Sequence, residues 1–339
     1  MKIIFTIQHP AHVHLFRNAI QKLKEDGHQV HVYARNKDIA IDLLEAYDID
    51  HTVLAGDADR LSKLALVQAK YELRLAWEAW RIKPDVIVAM GEPAVAHVAK
   101  LVGARSLIFT DTEIGTLQNK LAFPLADRIY TPECYQGDIG PKQVRYPGYH
   151  ELAYLHPDRF TPDPSVVEEL EIDPDEKFVV LRLVAWNAAH DVGHGGFSDP
   201  KEVVDKLEAT GARVLITAEN GIADELDSYK IDIPPEKIHH VLYYADLFVG
   251  ESATMATESA VLGTPAIFVS STRRGYTDEL EDKYGMVFTY SDNDRHVRGI
   301  EKAIELLQQP STDRWEQRRD TILDEKIDTT NLILEQSTT

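Results

Sequence analysis

Short apolar runs alternate along this chain with amphipathic stretches, a pattern that predicts βα units built around parallel sheets. Residues 3–7 read as a buried strand. Between residues 15 and 26 the apolar positions Leu15, Phe16, Ala19, Ile20 and Leu23 keep a helical period, which ends at Gly27. A second strand is predicted over 29–34, then helices over 37–47 and 64–81, a strand over 85–89, a helix over 94–101 and a strand over 105–109.

In open sheets of this kind ligands bind outside the carboxyl ends of the strands, so the loops 9–14, 90–93 and 110–115 are the places to look for chemistry. Pro147, Pro157, Pro162, Pro164 and Pro174, with Pro141 just upstream, interrupt any periodicity and suggest a linker. Strands are predicted again over 178–183, 213–217, 247–250 and 266–270, with helices between them. The expected organisation is a first α/β domain over 1–155, a linker over 156–176, a second α/β domain over 177–310, and a C-terminal helix within 311–339, spanning about 313–334, that packs back on the first domain.

Composition narrows the class. At 339 residues and 44% hydrophobic content the chain can bury two cores. No apolar run reaches the roughly 18 residues of a membrane span, and the chain opens directly on a strand pattern, so a cytoplasmic protein is expected. Its single cysteine, Cys134, rules out an intramolecular disulfide and a multi-cysteine metal site, and reads as a small buried side chain. The net charge of −20 is spread along the sequence, which argues against a nucleic-acid partner and fits a protein adapted to high salt.

The most specific chemical signal lies in residues 239–271. A strand over 247–250 runs into Glu251-Ser252-Ala253-Thr254 and a helix bearing Glu258, followed by Gly263-Thr264-Pro265 and another strand. Free backbone N–H groups and a helix dipole at Ser252, Ala253 and Thr254 can hold a pyrophosphate, and Glu258 is placed to accept ribose hydroxyls. This stretch resembles the donor-nucleotide motif of GT-B enzymes, notably the lipid-intermediate N-acetylglucosaminyltransferases of cell-wall synthesis and the non-hydrolysing UDP-N-acetylglucosamine 2-epimerases; Ser252, Glu258, Gly263 and Pro265 match it, while Ala253 and Thr254 stand where those families usually have glycine.

The loops of the first half add candidates. Gln8-His9-Pro10-Ala11-His12-Val13-His14 brings three histidines to a helix start; without clustered carboxylates, hydrogen bonding of His9, His12 and His14 to substrate is favoured over metal binding. Glu92 and Glu113 end strands on the same side and resemble catalytic carboxylates of the epimerases; two such groups can divide the roles of acid and base. The epimerases' third carboxylate has no counterpart, since Leu117 and Gln118 precede Asn119-Lys120.

The glycine-rich loop 184–197 follows the first strand of the second half and offers Arg182 and His190 to phosphate, and Arg273 opens the loop after residue 270, also toward a diphosphate. Over nearly its full length the chain resembles an archaeal member of the GT-B-like group known as domain of unknown function family 354. That resemblance implies an α/β fold of the GT-B type, two Rossmann-like domains facing a cleft. It implies a metal-independent glycosyltransferase without a cofactor, taking a nucleoside-diphosphate sugar, most readily UDP-linked, as its donor. Glu113 or His12 would then act as acceptor base, toward a glycan or lipid-linked acceptor that the residues do not identify. Peripheral membrane contact and a homodimer are compatible with it. The alternatives are a UDP-N-acetylglucosamine 2-epimerase and a non-catalytic sugar-nucleotide-binding protein.

Overall fold

The structure, a computed structural model, describes residues 1–56, 61–113, 116–173, 175–183, 199–218, 223–309 and 313–339, and leaves the side chains of 61–64 and 116–118 undescribed. The chain forms two compact units: Met1–Arg159 with Lys326–Thr339, and Phe160–Glu325.

The first unit runs β1 (Lys2–Ile7), α1 (Pro10–Glu25), β2 (Gln29–Arg35), α2 (Ala40–Ala46), β3 (Thr52–Ala55), α3 (Leu61–Ile82), β4 (Val86–Met90), α4 (Pro93–Val102), β5 (Arg105–Phe109), α5 (Thr116–Ala122), β6 (Arg128–Pro132), β7 (Gln143–Tyr146) and α6 (Leu152–Leu155). Its parallel strands lie in the order β3-β2-β1-β4-β5-β6-β7. Central strands such as β1, β4 and β5 are buried along most of their length, with apolar runs at their centres, because helices cover both faces of a parallel sheet. Helix α1 starts at Pro10, earlier than the apolar period alone suggests, because His9 caps it by accepting from the Ala11 amide at 3.2 Å and Pro10 supplies a ready-made first-turn φ.

The second unit runs α7 (Ser165–Glu168), β8 (Phe178–Leu183), α8 (Pro200–Glu208), β9 (Arg213–Ala218), α9 (Ile238–Tyr244), β10 (Leu247–Gly250), α10 (Ala253–Leu262), β11 (Ala266–Val269), α11 (Gly275–Asp282), β12 (Val287–Tyr290), α12 (Arg295–Gln308) and α13 (Asp313–Glu325). Its sheet is also parallel, in the order β12-β11-β10-β8-β9. The stretch expected as linker is partly built into this unit: Val166 of α7 is buried, and Asp163 accepts at Oδ1 from the Ser165 amide while its own amide donates to His240.

The last helix differs from the single span expected over 313–334. It breaks after Glu325, and α14 (Thr329–Thr338) begins anew under an Asp328 cap on the Thr330 amide at 2.8 Å. Helix α14 belongs to the first unit: the Thr329 and Thr330 hydroxyls donate to the Tyr149 and Ala153 carbonyls at 2.6 Å each, and Arg159 bonds Asp328 at 2.8 Å. Cys134 is half-buried rather than a core side chain. Among the described residues no helix is long and apolar enough to cross a membrane.

Candidate functional site

Strand order places the chemistry. In the first unit β1 leads to β2 on one side and neighbours β4 on the other, and in the second unit β8 leads to β9 while neighbouring β10. The chain diverges at these two switch points, which leaves a crevice at the strand carboxyl ends.

In the first unit the crevice is lined from β1, β4 and β5. Glu92, just past β4, is only 3% exposed and accepts at one carboxylate oxygen from the Thr6 hydroxyl of β1 at 2.6 Å. Burial drives its pKa up to about 7, against the opposing pull of Thr6, Gln8 and Tyr71. Burial and the neighbouring Glu92 charge in turn push the Tyr71 hydroxyl well above its ordinary range.

His12 sits in the first turn of α1, its Nδ1 accepting from the Gln8 amide at 3.4 Å. Desolvation, followed by the proximity of His9 and His150, pulls its pKa down to about 3, so it is neutral at physiological pH. Beyond it lies a buried pair that the sequence reading did not single out: Asp111 Oδ2 stands 3.0 Å from His150 Nδ1. Burial alone would raise the Asp111 pKa, but the proximity of His150, with the Thr112 hydroxyl, outweighs it and holds the carboxylate below its ordinary value. Both ring nitrogens of His150 are buried without a formed hydrogen bond, Nδ1 meeting Asp111 only as a close charge contact. His150 escaped notice because it follows β7 inside the proline-rich stretch; the signal was its position, directly past a strand's carboxyl end.

The three loop histidines divide two and one. His12 lies near the Asp111–His150 pair and its ring centroid is 6.0 Å from that of His9, which is exposed with its ring engaged as a helix cap. His14, two residues on and so about 200° around the helix, is buried against Tyr47 and Tyr154. Glu113 lines a cavity of about 590 Å³ with Asn119, Lys120, Tyr135 and Lys142; one oxygen accepts from the Gln136 amide at 2.9 Å and the other is buried without a partner. The Tyr135 hydroxyl pKa is raised by burial first, then by the Glu113 and Asp111 charges.

In the second unit β10 ends at Gly250, opposite Arg182 of β8. A Cβ there would lie 2.6 Å from the Arg182 Cβ and 2.9 Å from the Phe248 ring, so only glycine allows this close approach of the strands. Ser252 then caps α10, its Oγ accepting from the Met255 amide at 3.2 Å. The amides of Ala253 and Thr254, in the first turn, have no partner within the helix and point out of its positive end. Gly263, in the left-handed region at φ 103°, closes the helix.

Glu258 has a protein partner as well as its expected place on the helix after the capped turn: it is 4% exposed and its Oε1 lies 2.9 Å from His239 Nε2 of α9. Small residues let α10 bury so much of its surface, and a carboxylate there needs a partner. Arg273 is held by α11, its guanidinium bonding Asp278 at 2.7 Å and Glu281 at 2.6 Å. Arg182 is half-buried on β8, and His190 with the loop 184–197 lies outside the described residues. His296 of α12, also unforeseen, reaches within 3.5 Å of Glu251. Among the described residues no set of three His, Cys, Asp or Glu side chains converges in a metal-binding arrangement.

Two parallel-sheet α/β units of this order, each with its loops at a switch point, define the GT-B class. The chain belongs to the family described as Protein of unknown function (DUF354), whose profile matches residues 1–337. A protein of Methanocaldococcus jannaschii described as uncharacterized is 25% identical over 268 residues, covering 76% of this chain and 78% of the relative. Two solved structures share the fold: UDP-GlcNAc 2-epimerase from Neisseria meningitidis bound to UDP-GlcNAc (12% identity, TM-score 0.67, 100% of this chain and 99% of that one) and the SsfS6 glycosyltransferase of Streptomyces sp. SF2575 (14% identity, TM-score 0.64, 98% and 99%).

Proposed function

We propose that this protein binds a nucleoside-diphosphate sugar, UDP-linked, on its second unit and transfers the sugar to an acceptor without a metal. The observation that carries the reading is the Ser252-capped start of α10 at the β8/β10 switch point, with the amides of Ala253 and Thr254 left for phosphate oxygens. A diphosphate leaving group gains negative charge as the glycosidic bond to it breaks. Preoriented N–H dipoles at a helix start stabilise that charge. Glu258, fixed by His239, is the group we assign to the ribose hydroxyls.

The acid–base part is assigned to the first unit. Glu92 titrates near neutrality, which suits a group that both takes and returns a proton, and His12 is held neutral as a hydrogen-bond acceptor. Glu113, with one unpartnered oxygen on a cavity, remains a candidate base for the acceptor. The shared fold of UDP-GlcNAc 2-epimerases and glycosyltransferases supports sugar-nucleotide chemistry in general.

Proton NMR of UDP-GlcNAc incubated with the protein tests this. Binding with an unchanged sugar in the absence of acceptor, and release of UDP when a competent acceptor is added, is the expected result. Interconversion of donor alone would make the protein an epimerase, and absence of any binding to UDP-linked sugars would remove the reading.

A further inference from the structure

Helix α3 buries Tyr71, Leu75, Ala79 and Ile82 against its unit, yet its opposite side is also apolar. Leu66, Leu73, Trp77 and Trp80 are 73%, 72%, 61% and 62% exposed. At 100° per residue they fall within about 60° of one another on the helix wheel and span about 21 Å of its length. The Trp77 and Trp80 rings lie 5.5 Å apart and cover one another instead of any other element.

The charge around this stripe runs against that of the whole molecule. Lys70, Arg74, Arg81 and Lys83 are all exposed on or just past α3. Of its two carboxylates, Glu72 pairs with His97 at 2.8 Å and Glu78 offsets Arg81 at 2.5 Å, which leaves Lys70, Arg74 and Lys83 as the cations in excess. A chain of net charge −20 thus presents one helix face that is aromatic, leucine-rich and flanked by cations.

We propose that this face of α3 docks on an anionic lipid surface. Tryptophan rings prefer the boundary between headgroups and acyl chains, and flanking cations are drawn to negatively charged headgroups; an amphipathic helix carrying both lies in the interface plane. The remote acidic surface opposes this only weakly, since its field decays over a screening length of about 8–10 Å. A second copy is a poorer occupant. An antiparallel two-fold contact through the same face would set Lys70 of one copy near Arg81 of the other, cation against cation. The inference rests on α3 alone and not on the nucleotide reading.

The test is cosedimentation of the whole protein with vesicles of phosphatidylcholine alone or with about 30% phosphatidylglycerol, with tryptophan emission recorded in parallel. Wild type should pellet with the anionic vesicles and its emission should shift to the blue. Trp77→Ala with Trp80→Ala should weaken partitioning about tenfold or more. Lys70→Ala should weaken it about fivefold. Both variants change exposed side chains, so an unchanged melting temperature confirms that the fold is intact. Equal partitioning of the double variant and wild type, or wild type left in the supernatant, overturns the proposal. A two-chain mass by light scattering that falls to one chain in the double variant does so too, because a second copy would then cover the face.

Discussion

Asp111 holds its carboxylate 3.0 Å from His150 Nδ1, and both side chains are buried at the carboxyl end of the first sheet. The pair ties the loop after β5 to the loop after β7, and its charge bears on His12 across the crevice. Taking away one partner of a buried pair commonly costs about 3–5 kcal/mol. Asp111→Asn should destabilise the fold by that order in urea melts at neutral pH. The folded carboxylate titrates below its unfolded value of 3.8, so its contribution is present above that pH and is lost as pH falls through the folded value. The variant should lack that acid-dependent loss. A variant as stable as wild type at neutral pH would show that the pair contributes nothing.

Glu92 has the opposite sign. Its folded pKa of about 7 lies above the ordinary 4.5, so the folded state holds its proton where the unfolded chain has released it. Stability therefore falls as pH rises from 4.5 to about 7 and is level beyond, a penalty of about 3 kcal/mol in order of magnitude. Glu92→Gln should melt higher than wild type at about pH 8 and close to it near pH 4, while turnover drops about 10²–10⁴-fold. A lower melting temperature at the alkaline end would mean that the buried carboxylate is stabilising as an anion.

At Glu258 stability and binding separate by choice of substitution. Glu258→Ala leaves buried His239 without its acceptor and should cost about 1–3 kcal/mol of stability as well as affinity. Glu258→Gln keeps the shape and should weaken UDP binding about tenfold with little loss of fold. Calorimetry of the folded Gln variant with wild-type UDP affinity would detach Glu258 from the ribose.

Central strands were legible because each carries a short apolar run: β1, β5, β8 and β10 fall where such runs predict them. The edge strands β3, β7 and β12 were not recognised, since sequences such as Gln143-Val144-Arg145-Tyr146 expose one side to solvent and carry no continuous run. For the site, strand-end positions pointed to Glu92, Glu113 and Ser252. The partners did not follow: His239 meets Glu258 from the preceding helix, and Asp278 with Glu281 captures Arg273, contacts set by packing between elements that no local pattern encodes.

The acidic charge carries its own expectation. At about 0.1 M salt the screening length is near 10 Å and neighbouring carboxylates repel, whereas near 1 M it is about 3 Å. With a net charge of −20 the melting temperature should climb across that range, and equally in sodium and potassium chloride. A flat melting curve would show the charges to be too far apart to matter, and adaptation to high salt would lose its support.

The central claim is that the start of α10 receives a nucleoside diphosphate, and hydrogen–deuterium exchange with and without saturating UDP tests it most directly. The account predicts slower exchange in peptides covering Leu247–Gly250 and the first turn of α10, where the amides of Ala253 and Thr254 would donate to phosphate, with less protection in Glu258→Gln at the same UDP concentration. Unchanged exchange across β10 and α10, in a protein that calorimetry shows to have bound UDP, would place the nucleotide elsewhere and contradict the account.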